Sequence, residues 1–239
     1  GLRSGPWVFA YLPTQTTLDF LAQSLPRLIV YDVVDNFRCH SFPPKDLDHT
    51  EDALLKSAQL IFTTSPLLQS LHEGRHKHVV QIHHGVDDAF FLPTPSLPRQ
   101  HKRLCYFGTL RSGIDYDALN ALARAGFEVF LIGPEAFPPP VLHPNIFRIP
   151  ILSPQELIER IKTFDALLLP YTATDWNSGI TPAKIYECLA TGLPILASPM
   201  DGLKSLIPYL YIAKNSEDFV ALAKALDQHE TRDKIESRL

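Results

Sequence analysis

Short apolar runs alternate with helix-like stretches along this chain. Runs such as Arg27–Val34 and Asp165–Pro170 are typical of buried strands, whereas Pro44–Ala58, with acidic residues in its early turns, is typical of a helix. Strands that alternate with helices predict a parallel sheet with right-handed crossovers, whose ligands bind beyond the carboxyl ends of the strands. The pattern therefore predicts an α/β fold of two Rossmann-like, doubly wound parallel-sheet domains.

The alternation is interrupted once, by a segment without periodicity. Residues 92–100, Leu-Pro-Thr-Pro-Ser-Leu-Pro-Arg-Gln, are rich in proline and are typical of a linker. Residues 1–91 contain four predicted strands, and residues 101–239 contain about five. The sequence therefore predicts a first domain over 1–91 and a second domain over 101–239.

Two serines carry local capping signals for helix starts. Ser65-Pro66 is an N-cap followed by a proline at the first helical position. Ser153 is followed three residues later by Glu156, which has the form of a capping box. Helices are therefore expected to begin at these two serines.

Composition narrows the class of protein. The net charge of −4 argues against a nucleic-acid partner. No apolar run approaches the roughly 20 residues that span a bilayer, and the first residues lack the apolar core of a signal peptide. Three widely separated cysteines fit free thiols in a reducing compartment. We expect a cytoplasmic globular protein.

The stretch from Ser178 to Gly192 carries the strongest candidate chemistry. Thr181 is predicted to be the N-cap of a helix that has Pro182 at its first position and ends at Gly192. Lys184 and Glu187, three residues apart, would place a cation and a carboxylate near free N–H groups, where they suit a phosphate and sugar hydroxyls. An ordinary capped helix with an ion pair explains the same residues.

Polar and glycine residues follow several of the predicted strands. In the second domain these are the glycine turn Gly108–Gly113, then Gly133-Pro134, and then Tyr171. The turn lacks the full spacing of a dinucleotide fingerprint. Together with the Thr181 helix they outline a nucleotide-sized cleft facing the first domain, towards which Asp32, Asp35, Thr64 and Ser65 are expected to point.

One motif suggests a metal. His72-Glu-Gly-Arg-His76 matches the pattern in which two histidines one helical turn apart bind zinc. Gly74 interrupts the helix that this geometry requires, and a predicted strand begins at Val79. The helix from Ser65 is therefore expected to end at Gly74, so that the two histidines do not share a face.

Several segments in a fixed order resemble the donor domain of GT-B glycosyltransferases. They are Gly108-Thr-Leu, Leu131-Ile-Gly-Pro134, Asp165–Tyr171, Ser178–Glu187 and Gly192–Ser198. Val79–Asp87 is similar to the hinge before that domain, and Tyr31–Phe37 to a segment of the acceptor domain. The likeness is greatest to bacterial enzymes of cell-surface polysaccharide assembly, such as those of the teichuronic-acid type.

The resemblance implies a donor site in the second domain. Glu187 would bind the ribose hydroxyls, and Lys184 would hold the diphosphate with backbone N–H groups around Thr181 and Pro182. Gly108 and Thr109 would approach the phosphates or the sugar from the opposite side, and Ile151 lies in the loop that would meet the base. The implied donor-binding set is completed by Arg111, Asp115, Gly133, Tyr171 and Ser178.

The chain departs from the family pattern in its second domain. A glutamate that contacts the sugar in many relatives is replaced by Gly179, eight residues before Glu187. An arginine and a lysine that often grip the diphosphate are replaced by Thr109 and Ile114. Retention or inversion at the sugar is therefore left open.

The first domain is expected to be an incomplete acceptor domain, because fewer residues precede the linker than in GT-B enzymes. Either the chain is an incomplete product, or a partner chain supplies the missing half. Asp35 is the candidate general base for the acceptor hydroxyl, although a loop cap explains it as well.

The resemblance implies transfer of a sugar from a nucleotide-sugar, such as a UDP-sugar, to a saccharide or lipid-linked acceptor. It implies no metal or other cofactor, and location at the inner face of the membrane through a peripheral contact. A nucleotide-sugar-binding subunit and a nucleotide-sugar epimerase remain as alternatives.

Overall fold

The computed structural model describes residues 5–39, 43–93, 102–172 and 181–238. They divide into two compact units. Unit 1 contains the described residues up to His84 together with Thr181, and unit 2 contains the others. The predicted linker, residues 92–100, lies almost wholly outside the described residues.

Unit 1 is a parallel sheet of four strands in chain order. The strands are β1 (Trp7–Ala10), β2 (Leu28–Val33), β3 (Leu60–Thr63) and β4 (Val79–Gln81). They are connected by helices α1 (Gln15–Ser24), α2 (Leu47–Ser57) and α3 (Pro66–Glu73), with a 3₁₀ turn at Phe37–Cys39. Since the strands advance in one direction, right-handed crossovers place all three helices on the same face of the sheet.

The two faces of this sheet differ in burial. Alternate strand residues, among them Ile29, Tyr31 and Ile61, pack with Leu54 and Leu68 of the helices into one core. Residues of opposite parity lie on the other face, where Trp7 is 60% exposed and Val80 is 45% exposed. The described part of unit 1 therefore presents an apolar sheet face to solvent.

A buried carboxylate links the helices of unit 1. Glu51 is 3% exposed and accepts hydrogen bonds from Arg75 and from the hydroxyl of Tyr31, with Arg38 also paired to it at 2.7 Å. Burial alone would raise the pKa of Glu51, but hydrogen bonds from His72, Arg38 and Arg75 outweigh it and hold that pKa well below its usual range.

We expect Glu51→Gln to destabilise unit 1 by about 1.5–3 kcal/mol, because it removes charge-assisted hydrogen bonds from a buried position. The lowered pKa means that this stabilisation is present above the ordinary glutamate pKa and is lost as the pH falls through the folded value. Hydrogen exchange of unit 1 peptides measures the effect of the substitution at pH 7 and, in the wild type, the loss of this stabilisation between pH 7 and pH 3. Asp52→Asn is the control, because it removes the exposed carboxylate that pairs with the same Arg75; equal losses for both variants would contradict the role of Glu51.

The two histidines of the zinc-like motif have separate partners. Helix α3 ends at Glu73, with Gly74 as its C-cap, so it does not extend through His76. His72 is buried, its Nδ1 donates to the Leu68 carbonyl, and its Nε2 lies 3.4 Å from Glu51. His76 Nε2 lies 3.2 Å from the Ala58 carbonyl. Within the described ranges, no three His, Cys, Asp or Glu side chains are grouped so as to hold a metal ion.

Unit 2 is a parallel sheet of six strands. Its strands are β5 (Arg103–Phe107), β6 (Glu128–Ile132), β7 (Ile146–Ile149), β8 (Ala166–Leu169), β9 (Ile195–Ala197) and β10 (Tyr211–Ile212). The spatial order is β10-β9-β8-β5-β6-β7. Strand β10 has two residues, too few to give a pattern in the sequence, which is why about five strands were expected.

Helices connect and cover this second sheet. They are α4 (Tyr116–Arg124), α5 (Pro154–Ile161), α6 (Lys184–Ala190), α7 (Ser216–His229) and α8 (Arg232–Arg238), with 3₁₀ segments at Asp88–Phe90 and Asp201–Tyr209. The chain leaves β5 in one direction and returns to β8 on its other side, so the strand order reverses between β5 and β8. This is the topological switch point, beyond which doubly wound sheets bind ligands.

Candidate functional site

The segments that follow β5 and β8 meet at the switch point of unit 2. Ile114 forms an isolated antiparallel bridge with Tyr171, and the Asp115 N–H donates to the Pro170 carbonyl at 2.7 Å. The Thr172 N–H donates to the Gly113 carbonyl at 3.0 Å. The glycine turn after β5 is therefore fixed to the segment after β8.

Two glycines make the turn after β5 compact. Gly108 has φ +128° and Gly133, after the neighbouring β6, has φ +141°, both in the region that favours glycine. A Cβ on Gly133 would lie 2.4 Å from the Gly108 carbonyl oxygen, and a Cβ on Gly108 would lie 2.1 Å from Lys184 Nζ. Because Gly108 has no side chain, there is space for the Lys184 ammonium. Because Gly133 has none, there is space for the Gly108 carbonyl.

Lys184 reaches across from the first residue of α6 to this turn. Its ammonium donates to the Phe107 carbonyl at 2.7 Å and to the Tyr106 hydroxyl at 3.1 Å, and it lies 4.2 Å from the Tyr106 ring centroid. Both oxygens are neutral, and among the described residues Lys184 has no carboxylate partner within ion-pair distance. The site therefore holds a positive charge that an anionic ligand can neutralise.

Glu187 lies one turn further along α6 and is half-buried. Burial raises the pKa of its carboxyl, and the positive charge of Lys184 opposes that change. Within the described part of the chain the carboxylate has no hydrogen-bond donor. A half-buried acceptor of this kind suits a ligand hydroxyl.

The predicted start of α6 is wrong. Thr181 is buried but does not cap the helix, which begins at Lys184 after Ala183, without a side-chain cap. The Pro182 carbonyl accepts from the Ile185 N–H at 2.9 Å, so a tight turn precedes the helix where its first residues were expected. Ser178, in the same predicted element, lies outside the described residues.

The remaining predicted donor residues have diverse environments. Arg111 lies 5.9 Å from the Tyr171 ring centroid, on the same ring that Lys184 approaches at 5.9 Å. The Asp115 carboxylate accepts from the Ala118 N–H at 2.9 Å and caps α4. The Thr109 carbonyl accepts from the Tyr106 hydroxyl at 3.1 Å. Ile151 is 72% exposed in the loop after β7.

Sequence reasoning missed Tyr106. It lies in β5 among apolar neighbours, is 1% exposed, and supplies the hydroxyl that accepts from Lys184. A phenol in an otherwise apolar strand was the available signal, but an aromatic residue at such a position is usually core.

In unit 1, the predicted base Asp35 lies in the turn after β2. Its Oδ1 accepts from the Asn36 N–H at 2.8 Å, as a loop cap does, and this is not the residue's full set of contacts. Burial raises the pKa of Asp32, which lies within β2, and the electrostatic interaction with His84 opposes that increase. Burial lowers the pKa of His84, while a hydrogen bond with the Thr181 backbone opposes that change.

No protein-family model matches this chain. The chain is 24% identical over 213 residues to a Bacillus subtilis (strain 168) protein named "Putative teichuronic acid biosynthesis glycosyltransferase TuaH". The match covers 79% of this chain and 53% of that protein. The chain therefore spans about half the length of the curated relative it matches.

Solved structures establish the fold. Anabaena Alr3699/HepE in complex with UDP matches with a TM-score of 0.73 at 16% identity, over 96% of this chain and 72% of that one. Sucrose-phosphate synthase from Thermosynechococcus elongatus matches with a TM-score of 0.66 at 15% identity, over 97% of this chain and 69% of that one. The expected α/β fold of GT-B glycosyltransferases, with two parallel-sheet units, is confirmed.

Proposed function

We propose that this chain, which has the GT-B fold, is a glycosyltransferase that takes a sugar from a nucleotide-sugar donor bound in unit 2. The observation that carries the proposal is the Lys184 ammonium held over Gly108 at the switch point, with the Glu187 carboxylate one helical turn away. Lys184 supplies a positive charge, and the Glu187 carboxylate has no hydrogen-bond donor among the described residues. Such a pair suits a ligand in which a diphosphate is joined to a ribose.

In this mechanism the ammonium of Lys184 stabilises the negative charge that develops on the leaving diphosphate. Glu187 accepts hydrogen bonds from the ribose hydroxyls and fixes the nucleotide. We propose that Asp35 takes the proton of the acceptor hydroxyl, because it follows a strand of unit 1 at the edge where parallel sheets bind ligands. The charge of Lys184 allows the reaction to proceed without a metal.

We propose UDP as the nucleotide and a saccharide or lipid-linked acceptor of cell-surface polysaccharide assembly. The support is the named role of the Bacillus subtilis relative and the UDP in the HepE complex. A peripheral contact with the inner face of the membrane would bring the enzyme to such an acceptor. No helix in the described ranges has the length and apolar character needed to cross a bilayer.

A second candidate is a nucleotide-sugar-binding subunit that needs a partner chain for the acceptor. The apolar sheet face of unit 1, with Trp7 60% and Phe9 47% exposed, favours it. Both candidates bind the donor, and they differ in whether the isolated chain transfers the sugar.

Thermal-shift measurements with UDP, GDP, ADP, UDP-glucose and UDP-N-acetylglucosamine test donor binding. One nucleotide that raises the melting temperature supports the proposal, since a ligand that binds the folded state stabilises it. The release of UDP from the stabilising donor, with glucose or N-acetylglucosamine as acceptor, then separates the enzyme from the binding subunit. No shift with any nucleotide would overturn both.

Lys184→Met should weaken UDP binding about tenfold and leave uridine binding unchanged, because it removes a charge-assisted contact to phosphate and keeps the side-chain length. Calorimetry with the two ligands measures the difference. Lys204→Met, which removes an exposed lysine paired with Asp201, is the control. Equal losses for UDP and uridine would contradict a phosphate role for Lys184.

A further inference from the structure

Tyr106 connects the candidate lysine to the core of unit 2. Its ring is buried in β5, and its hydroxyl accepts from Lys184 at 3.1 Å while donating to the Thr109 carbonyl at 3.1 Å. One oxygen thus contacts both the ammonium and the glycine turn. Burial raises the pKa of Tyr106 to about 12, so the phenol is neutral at physiological pH and accepts through its oxygen.

The ring of Tyr106 adds a second constraint on the lysine. The Lys184 Nζ lies 4.2 Å from the ring centroid, within the range of a cation–π interaction. Tyr106 in turn packs edge to face against Tyr171, with the centroids 6.3 Å apart and the planes at 83°. Because Tyr106 is buried and braced in this way, it is a rigid support for a side chain that is otherwise flexible.

Among the described residues, the hydrogen bonds of the Lys184 ammonium leave one N–H for a ligand. An ammonium has three N–H groups, and those of Lys184 meet the Phe107 carbonyl and the Tyr106 hydroxyl within the described residues. With two donors fixed, the third has a defined direction. A lysine held this way needs little reordering when an anion binds, which favours affinity.

We propose that Tyr106 is a positioning residue, which fixes the Lys184 ammonium over the glycine turn so that one N–H is presented to a phosphate oxygen of the donor. The proposal rests on the proposed function for the identity of the ligand. The contact between Tyr106 and Lys184 is present in the protein without ligand, so this part of the proposal can be tested without a nucleotide.

Tyr106→Phe tests the proposal, because it removes the hydroxyl and keeps the ring. We expect UDP affinity to fall about fivefold, as for the loss of one hydrogen bond, with uridine affinity unchanged. In a Lys184→Met background the same substitution should have no further effect on UDP binding, since Tyr106 acts through the lysine. A loss that persists in that background would overturn the proposal.

The control variant is Tyr211→Phe, which removes another buried tyrosine hydroxyl of unit 2, bonded to Glu230 at 2.5 Å. It should lower the melting temperature without changing the UDP-to-uridine affinity ratio. A reduced ratio in this control would show that the ratio reports general loosening of unit 2, and would overturn the assignment to Tyr106.

A measurement without nucleotide separates this inference from the proposed function. Acetylation of Lys184 by acetic anhydride, followed by peptide mass spectrometry, should be faster in Tyr106→Phe than in the wild type, with the rate at Lys204 unchanged. An unchanged rate at Lys184 would overturn the positioning role, even where UDP binds. A faster acetylation of Lys184 in Tyr106→Phe, in a protein that binds no nucleotide, would support the positioning role and overturn only the proposed function.

Discussion

Gly133→Ala should destabilise unit 2 by about 3 kcal/mol or more, because it combines backbone strain with a contact that cannot relax. The backbone of Gly133 has φ +141°, and the added Cβ would lie 2.4 Å from the Gly108 carbonyl oxygen. That oxygen belongs to the backbone of a turn fixed by the Gly108 N–H bond to the Ile132 carbonyl at 2.8 Å. Neither the added Cβ of residue 133 nor the Gly108 carbonyl oxygen can move without opening the end of β5.

The measurement is hydrogen exchange of peptides from β5 and β6, because a protein with two units need not unfold in one step. Gly126→Ala is the matched control: φ is +95°, and a Cβ there has no atom within 4 Å. It should cost only the strain of a left-handed residue, about 1–2 kcal/mol. Equal effects at both glycines would show that the contact with Gly108 contributes nothing.

Gly108→Ala changes the other residue of the Gly133–Gly108 contact and should have a different effect. Its Cβ would meet the Lys184 ammonium, which is the end of a flexible side chain and can move away. Stability should therefore fall less than in Gly133→Ala, whereas UDP binding should fall about as far as in Lys184→Met. The two glycines would then separate the stability of the turn from the placement of the charge.

Glu187→Ala should weaken the binding of both UDP and uridine by about 1.5–3 kcal/mol, which is about 10- to 150-fold, through loss of charge-assisted hydrogen bonds to the ribose. This pattern differs from that of Lys184→Met, which spares uridine. Calorimetry with both ligands distinguishes the two roles. Unchanged uridine affinity would remove Glu187 from the ribose site.

A second substitution at this position, Glu187→Gln, should make the protein without ligand more stable than the wild type. Burial raises the pKa of this carboxyl, so the folded state disfavours the charged form at neutral pH. A raised folded pKa means that the native state binds more protons between the unfolded and the folded value, and stability falls as the pH rises through that window. The difference between variant and wild type should therefore grow from pH 4 towards neutrality.

Melting temperatures of the two proteins without ligand, measured from pH 4 to pH 8, provide the test. Glu159→Gln, in an exposed pair with Lys162, is the control and should show no such trend. A glutamine variant less stable than the wild type at neutral pH would mean that Glu187 has a structural partner instead of a binding role.

Local sequence signals correctly predicted helix starts where the capping hydrogen bonds join residues that are close in sequence. Ser65 caps α3 with Pro66 at its start, and the reciprocal bonds of the Ser153–Glu156 capping box are present. These contacts join residues three apart, so the neighbouring sequence is sufficient to specify them. Thr181 had the same local form but does not cap α6, because the turn at Pro182 delays the helix to Lys184.

The sequence by itself determined the fold class, since the alternation of strands and helices requires a parallel sheet, and it identified Gly108, Gly133, Lys184 and Glu187 as candidates. Only the tertiary structure decided that β5 and β8 are neighbours, which places the glycine turn beside Tyr171. It also decided that Gly108 accommodates a lysine ammonium and that Tyr106 supports it across 78 positions of sequence. Such contacts depend on strand order and side-chain reach, which no local pattern encodes.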